Sequence, residues 1–190
     1  MISAIFLAAG QSKRLLKENK LLKTYKKKPL ISHSLNSLIK SKVNKIIIVL
    51  GYESSKVRKA IKKIKKISFI VNNYYKKGMS SSIKTGIKRL SKKNKGFIIV
   101  QSDMPFIKTN HINKIYNSIQ KKKYLVHTLK FRNRVGNPIG FDISVLNKFK
   151  KIKGEYGAKF MVKRLNKQTN FIKITSSKVF KDFDSKKDFS

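Results

Sequence analysis

Cysteine is absent from this 190-residue chain, which excludes disulfides, thiolate metal sites and cysteine nucleophiles. Long hydrophobic runs are also missing. The opening MISAIFLAAGQSKR holds an apolar stretch too short to span a bilayer, and it lacks the basic n-region of a signal peptide. The expectation is a soluble cytoplasmic protein with no membrane partner. Histidine occurs three times, at 33, 111 and 127, without metal-ligand spacing. His33 falls in a helical pattern, His111 in the first turn of a helix and His127 in a strand, where structural roles are expected. Acidic residues are scarce, 8 against 47 Lys and Arg, for a net charge of +39.

That charge admits two readings. Clustered cations release counterions from nucleic-acid phosphates, or a lysine-rich chain paints each solvated face with Lys. Two observations favour the second. The cations are mostly Lys, whereas Arg is the better residue for phosphate forks and base edges. They also run along the whole chain instead of gathering in one arm. No aromatic stacking platform or helix-turn-helix pattern is evident, so no specific nucleic acid is expected as a partner. With 40% hydrophobic residues the chain is not a disordered polymer, and it is long enough for one sizeable core.

Ile2 to Ala9 is a nearly continuous apolar run ending at Gly10, as in a strand buried on both faces of a parallel sheet. Pro29 opens a helical pattern with Ile31, Leu35, Leu38 and Ile39 on one face. Residues 45–51 read as a second strand, followed by a helix burying Val57, Ala60, Ile61 and Ile64. Residues 67–71 form a third strand, and a helix starting near Ser80 buries Ile83, Ile87 and Leu90. Residues 96–100 form a fourth strand. Asn110 is expected to cap a helix showing Ile112, Ile115, Tyr116 and Ile119. Strands are expected at 124–131 and 138–141, and a helix at 154–165 with Phe160, Met161 and Leu165 inward. Strand alternates with helix four times by residue 120, which argues for an α/β sheet with right-handed crossovers. There is no internal repeat and no linker, so one domain is expected.

Three loops carry chemistry. Ligands of open α/β sheets sit beyond the carboxyl ends of the strands, and Gly10 lies at such an end. Its loop exposes N–H groups that cradle phosphate oxygens, with Arg14 and Lys20 supplying charge, although it matches neither a P-loop nor G-x-G-x-x-G. The bland alternative is an ordinary strand-to-helix turn with solvated lysines. Second, Asp103 directly follows the strand in FIIVQSDMPFI. A carboxylate facing a cationic phosphate loop suits magnesium (Mg2+), which takes one or two carboxylates plus phosphate oxygens and water. The alternative is a turn cap. Third, NNYYKKGMSSSIKTG offers Asn73, Gly78 and serines for reading a base or ribose, or a serine-capped helix start.

Together these segments resemble the MobA-like nucleotidyltransferase family, in its molybdenum cofactor cytidylyltransferase branch. The family loop L-A-A-G-x-S-x-R-M-G-x-x-K is matched by Leu7-Ala8-Ala9-Gly10-Gln11-Ser12-Lys13-Arg14 and then Lys20. G-M-S-S-S-I is matched at residues 78–83, and G-D-M-P by Ser102-Asp103-Met104-Pro105. G-x-P-x-x-F resembles residues 136–141, G-D-x-G-A-R resembles 154–159, and D-I-D-T-P-E-D resembles 182–188. Six matches fall in order over nearly the whole chain. The chain departs from the pattern at Leu16 and Ser102, each in place of Gly, and at Asn137 in place of His. Glu155 and Lys159 stand for Asp and Arg, and Lys186-Lys187 for Pro-Glu.

The resemblance implies a Rossmann-like three-layer α/β/α fold, mostly parallel, of nucleotide-diphospho-sugar transferase type, with residues 1–190 as one domain. It implies transfer of a nucleoside monophosphate, CMP from CTP, onto phosphorylated molybdopterin with release of pyrophosphate. Leu7, Ala8, Ala9, Gly10, Ser12, Asn73, Gly78 and Ser82 would bind nucleotide, and Arg14 and Lys20 would neutralise the β- and γ-phosphates. Asp103 would hold Mg2+, with Asp184, or else Asp182, as second carboxylate. A molybdoenzyme or its chaperone is the implied protein partner. Two rivals stay open. One is a related transferase acting on a sugar phosphate or other small phosphorylated acceptor. The other is a basic nucleic-acid-binding protein.

Overall fold

A computed structural model describes residues 1–12 and 18–189. The opening run forms strand β1 (Ile2–Ala8), every residue of it buried. Successive side chains of a strand face opposite ways, and β1 serves two cores. Ala4, Phe6 and Ala8 enter one, while Ile5 and Leu7, continued by Ala9, enter the other. A small hairpin, β2 (Thr24–Tyr25) and β3 (Lys28–Pro29), leads into helix α1 (Leu30–Ile39), with Pro29 at its N-cap. Then come β4 (Lys45–Leu50), α2 (Ser54–Lys59), β5 (Ile67–Val71), α3 (Met79–Ile87), β6 (Gly96–Gln101) and α4 (Thr109–Gln120). The chain continues through β7 (Val126–Phe131), β8 (Arg134–Asp142), α5 (Ala158–Arg164) and β9 (Thr169–Lys173).

The strands form a seven-stranded sheet in the order β5-β4-β1-β6-β8-β7-β9. The first four are mutually parallel, β8 is antiparallel to both its neighbours, and β9 is parallel to β7. Leu35 of α1, Val57 of α2 and Ile115 of α4 pack on one face. Ile83 of α3 and Met161 of α5 pack on the other. The result is the expected three-layer, mostly parallel sandwich. Gly86 lets α3 lie close to β1, because a Cβ there would stand 2.4 Å from Ile5 Cγ2. Phe97 and Phe141 stack, and Phe149 meets both edge-on, with centroids 4.9–5.5 Å apart. Burial of each is worth about 1.5–3 kcal/mol. The chain crosses from β5 back over β1 to β6, so the sheet's order reverses around β1. A crevice at the carboxyl ends of β1 and β6 is where such sheets bind ligands.

Several local expectations shift. The second helix ends at Lys59, so Ala60 is exposed and Ile64 only half-buried. Lys59, Lys62, Lys63 and Lys66 would repel at three- and four-residue spacings in a longer helix. Asn110 is not the cap of α4. The cap lies two residues earlier, at Lys108, whose N–H donates to His111 Nδ1 at 3.1 Å. The last helix starts at Ala158, not Gly154, because Gly154 takes a φ of +58°. Among the described residues no helix is long and apolar enough to cross a membrane.

His127 lies in β7, fully buried, with Nδ1 2.7 Å from Ser118 Oγ. Burial pushes its imidazole down to about 4, against roughly 6.5 in an unfolded chain. Below pH 6.5 the unfolded chain takes up a proton that the fold refuses until pH 4. Stability is therefore lost as pH falls through that window, by up to about 1.4 kcal/mol per pH unit. Urea denaturation from pH 7 to 4.5 should show this slope, and His127→Gln should reduce it.

Candidate active site

Three segments far apart in sequence meet at the carboxyl ends of β1 and β6. Asp103 follows β6, and its turn is fixed from β1: Ser102 Oγ donates to the Leu7 carbonyl at 2.7 Å. The serine at this position thus closes the strand end with a hydrogen bond that glycine lacks. The C-terminal segment is pinned by Phe183, which is buried against Tyr25, Phe106 and Phe189 at centroid distances of 4.7–5.9 Å. The Phe183 N–H donates to the Asp103 carbonyl at 3.0 Å. These contacts bring Asp184 beside Asp103. Asp188 closes the next turn, its Oδ2 accepting from the N–H groups of Asp184 at 3.0 Å and Ser185 at 2.9 Å. Those bonds, that of Ser185 foremost, hold its carboxyl down at about 2.

Lys20 lies between the two carboxylates. Its Nζ donates to Asp103 Oδ2 and to Asp184 Oδ1, each at 2.7 Å. The Lys20 and Asp103 side chains are 13% and 18% exposed, that of Asp184 37%. Burial would lower the lysine, but the charges and hydrogen bonds of Asp103 and Asp184 outweigh it and raise Lys20 above its usual range. The Lys20 N–H donates to Ser12 Oγ at 3.0 Å, which ties this lysine to the glycine loop. Asp103 Oδ1 is buried and has no hydrogen-bond partner among the described residues.

These groups border a cleft of about 350 Å³, lined also by Leu7, Ala9, Gly10, Gln11, Gly78 and Ser82. A Cβ at Gly10 would meet none of the described residues within 4 Å, so the loop borders open space. Gly78 takes a φ of +90° at the start of α3, in a conformation that favours glycine. Ala8 is buried on the opposite face of the sheet and does not line the cleft. Asn73 is a correction. It is exposed and outside the cleft, and its neighbour Asn72 is the buried one. Asn72 Nδ2 donates to Ser81 Oγ at 2.8 Å and Ser82 Oγ at 3.0 Å, and its Oδ1 accepts from the Tyr74 N–H. Asn72, directly after β5, is the buried one of the two and fastens the serine helix. Arg14 lies outside the described residues.

A second pocket of about 480 Å³ adjoins the first, sharing Met79, Gln101 and Glu155 with it. Arg134, Lys159, Asn137 and Asp182 line it, whereas Asp184 is the carboxylate that shares Lys20 with Asp103. Desolvation, then the charges of Asp184 and Asp103, push Asp182 above the ordinary carboxylate range. Glu155 reaches the start of α3, where Oε2 accepts from the Met79 N–H at 3.3 Å. Sequence reasoning assigned no role to Gln101, Glu155 or Asp188, whose positions depend on contacts between distant segments. Among the described residues no cluster of three His, Cys, Asp or Glu forms a protein-only metal cage. Two carboxylates with one orphaned oxygen still match a hard divalent ion, which takes its remaining ligands from phosphate and water.

The MobA-like NTP transferase domain family matches residues 4–169. The chain belongs to this family. A curated relative is the 2-C-methyl-D-erythritol 4-phosphate cytidylyltransferase of Lachnoclostridium phytofermentans. It is 32% identical over 130 residues, 64% of this chain and 53% of the relative, so the match spans about half the relative's length. Among solved structures, Rv0371c from Mycobacterium tuberculosis H37Rv superposes with a TM-score of 0.85 at 19% identity, over 99% of this chain and 95% of that one. The same protein is also solved as a complex with manganese, with a TM-score of 0.76 at 18% identity, over 92% and 89% of the two chains. A nucleotidyl transferase from Methanothermobacter thermautotrophicus gives a TM-score of 0.84 at 16% identity, over 100% and 94%. These likenesses establish a common fold for the MobA-like chain.

Asn72→Ala should destabilise the protein by about 2 kcal/mol in urea unfolding, because it strands buried polar groups. Asn73→Ala should stay within about 0.5 kcal/mol of wild type.

Proposed function

We propose that the chain is a divalent-metal-dependent nucleotidyltransferase, acting as one domain, that moves CMP from CTP onto a phosphorylated acceptor and releases pyrophosphate. The observation that carries this reading is the pair Asp103 and Asp184 converging on one cation position beside an open glycine loop. Family membership and the cytidylyltransferase relative support the reaction class and the nucleotide. The manganese complex of Rv0371c supports a divalent metal, and magnesium is the physiological candidate.

An acceptor phosphate oxygen attacks the α-phosphorus in line. Its new P–O bond forms as the bond to the bridging oxygen breaks, and pyrophosphate leaves. The attacking oxygen is already ionised at neutral pH, so the chain has no proton to remove. Its task is to position two polyanions and neutralise them. The backbone of the Gly10 loop cradles phosphates. Lys20 and Arg14 neutralise the β- and γ-phosphates and the departing pyrophosphate. Asp103 and Asp184 would hold the divalent metal, which would supply charge stabilisation to the transfer. Leu7 and Ala9 give the base a backbone edge, with Ser82 and Gly78 completing its surroundings.

The acceptor enters the second pocket, where Arg134 and Lys159 receive its phosphate. The ordered motif matches of the molybdenum cofactor branch favour molybdopterin as that acceptor, with delivery to a molybdoenzyme or its chaperone. The relative's name favours a second reading, a sugar-derived phosphate such as 2-C-methyl-D-erythritol 4-phosphate.

The test is pyrophosphate release from CTP, GTP, ATP and UTP with magnesium, using each acceptor in turn. Release is expected with CTP, and Asp103→Asn should cut it by at least about a thousandfold with the fold intact by circular dichroism. Release with another nucleotide would overturn the base assignment, and release only with the erythritol phosphate would overturn molybdopterin. Undiminished turnover in Asp103→Asn would overturn the site.

A further inference from the structure

Lys20 holds the position that a divalent cation needs. Its ammonium is 2.7 Å from one oxygen of Asp103 and 2.7 Å from one of Asp184. Magnesium approaches carboxylate oxygens to about 2.1 Å. Two cations confined between the same two oxygens would repel at close range. A free divalent ion would therefore have to expel Lys20. Apart from the Asp pair, the one carboxylate lining the cleft among the described residues is Glu155, which already accepts from the Met79 N–H, and Lys76 lines the same cleft. A metal arriving on a nucleotide changes that balance. It brings phosphate oxygens that take over the ammonium as the metal takes over the carboxylates.

We propose that Lys20 closes the carboxylate pair to free divalent metal and yields it only to a metal that arrives with a nucleotide. The inference rests on the nucleotidyltransferase reading of this site. The exchange needs only side-chain motion. The Lys20 backbone stays tied to Ser12 Oγ, and its four-carbon stem carries the charge from carboxylates to phosphates. No covalent bond changes. One set of ion pairs replaces another, so metal and nucleotide strengthen each other's binding, and by linkage they do so equally. The same lysine that neutralises the triphosphate thus prevents futile occupation of the metal site between turnovers.

The test is manganese titration of the nucleotide-free enzyme, followed by electron paramagnetic resonance. Wild type, Lys20→Gln, Lys20→Arg and the double variant Lys20→Gln/Asp103→Asn would be compared, with folding checked by circular dichroism. Lys20→Gln should bind one Mn2+ at least about tenfold more tightly than wild type, because a competing charge is gone. Lys20→Arg should remain closed, and the double variant should lose the gain. Folded Lys20→Gln that binds Mn2+ no tighter than wild type overturns the proposal. So does a wild-type enzyme that retains one Mn2+ per chain through gel filtration and loses it in Asp103→Asn, whatever the other variants do. Scoring pyrophosphate release in parallel separates this inference from the function it rests on. Release by wild type without the Lys20→Gln gain overturns the exchange alone. The gain without release from any nucleotide supports the closed carboxylate pair and overturns the transfer reading.

Discussion

The ion pairs from Lys20 to Asp103 and Asp184 are the interaction on which the site depends, because each partner comes from a different part of the fold. Lys20 belongs to the loop after β1, Asp103 to the turn after β6, and Asp184 to a segment folded back by the buried ring of Phe183. Two carboxylates held this close in the absence of a cation would repel strongly in a partly buried cleft. The lysine relieves that repulsion and joins three segments at once. The sheet supplies the rest. Parallel pairing of β1 and β6 brings two strand ends side by side, and the hydrogen bonds from Ser102 to Leu7 and from Phe183 to Asp103 set the turns that follow.

Charge scarcity sharpens this arrangement. Of the chain's eight carboxylates, Asp103, Asp184 and Glu155 line the cleft. Asp182 lines the adjoining pocket and Asp188 closes the turn that carries Asp184. A lysine-rich surface draws polyanions in, while five of the eight acids gather at the cleft, its adjoining pocket and the turn that carries Asp184. The same net charge that first suggests nucleic acid would therefore serve the small phosphorylated substrates proposed for this cleft equally well.

Local pattern carried much of this organisation. The apolar run from Ile2 to Ala9 announced a central strand, and the alternation of strand and helix announced the layers. The position of Asp103 after a buried strand announced a site, because strand ends in such sheets face ligands. What escaped was set by contacts between distant residues. Asn72 and Asn73 are indistinguishable in sequence, and only the path of the chain after β5, where the Asn72 N–H donates to the Leu50 carbonyl, decides which one is buried against Ser81 and Ser82. The antiparallel insertion of β8 depends on pairing with β6 and β7, which periodicity does not encode. β9 is short and only half-buried, so its alternation is weak. Asp188 reads as a surface acid until the turn it closes is visible. Lys20 was assigned to phosphates from its motif, yet without nucleotide its partners are carboxylates 83 and 164 residues away.

The measurement that tests this account most directly is a crystal structure of the chain with magnesium and a non-hydrolysable CTP analogue. The account predicts the metal on Asp103 and Asp184, with Lys20 Nζ withdrawn from both carboxylates onto the β- or γ-phosphate. A bound nucleotide with Lys20 still bridging Asp103 and Asp184, and the metal held elsewhere, would contradict it.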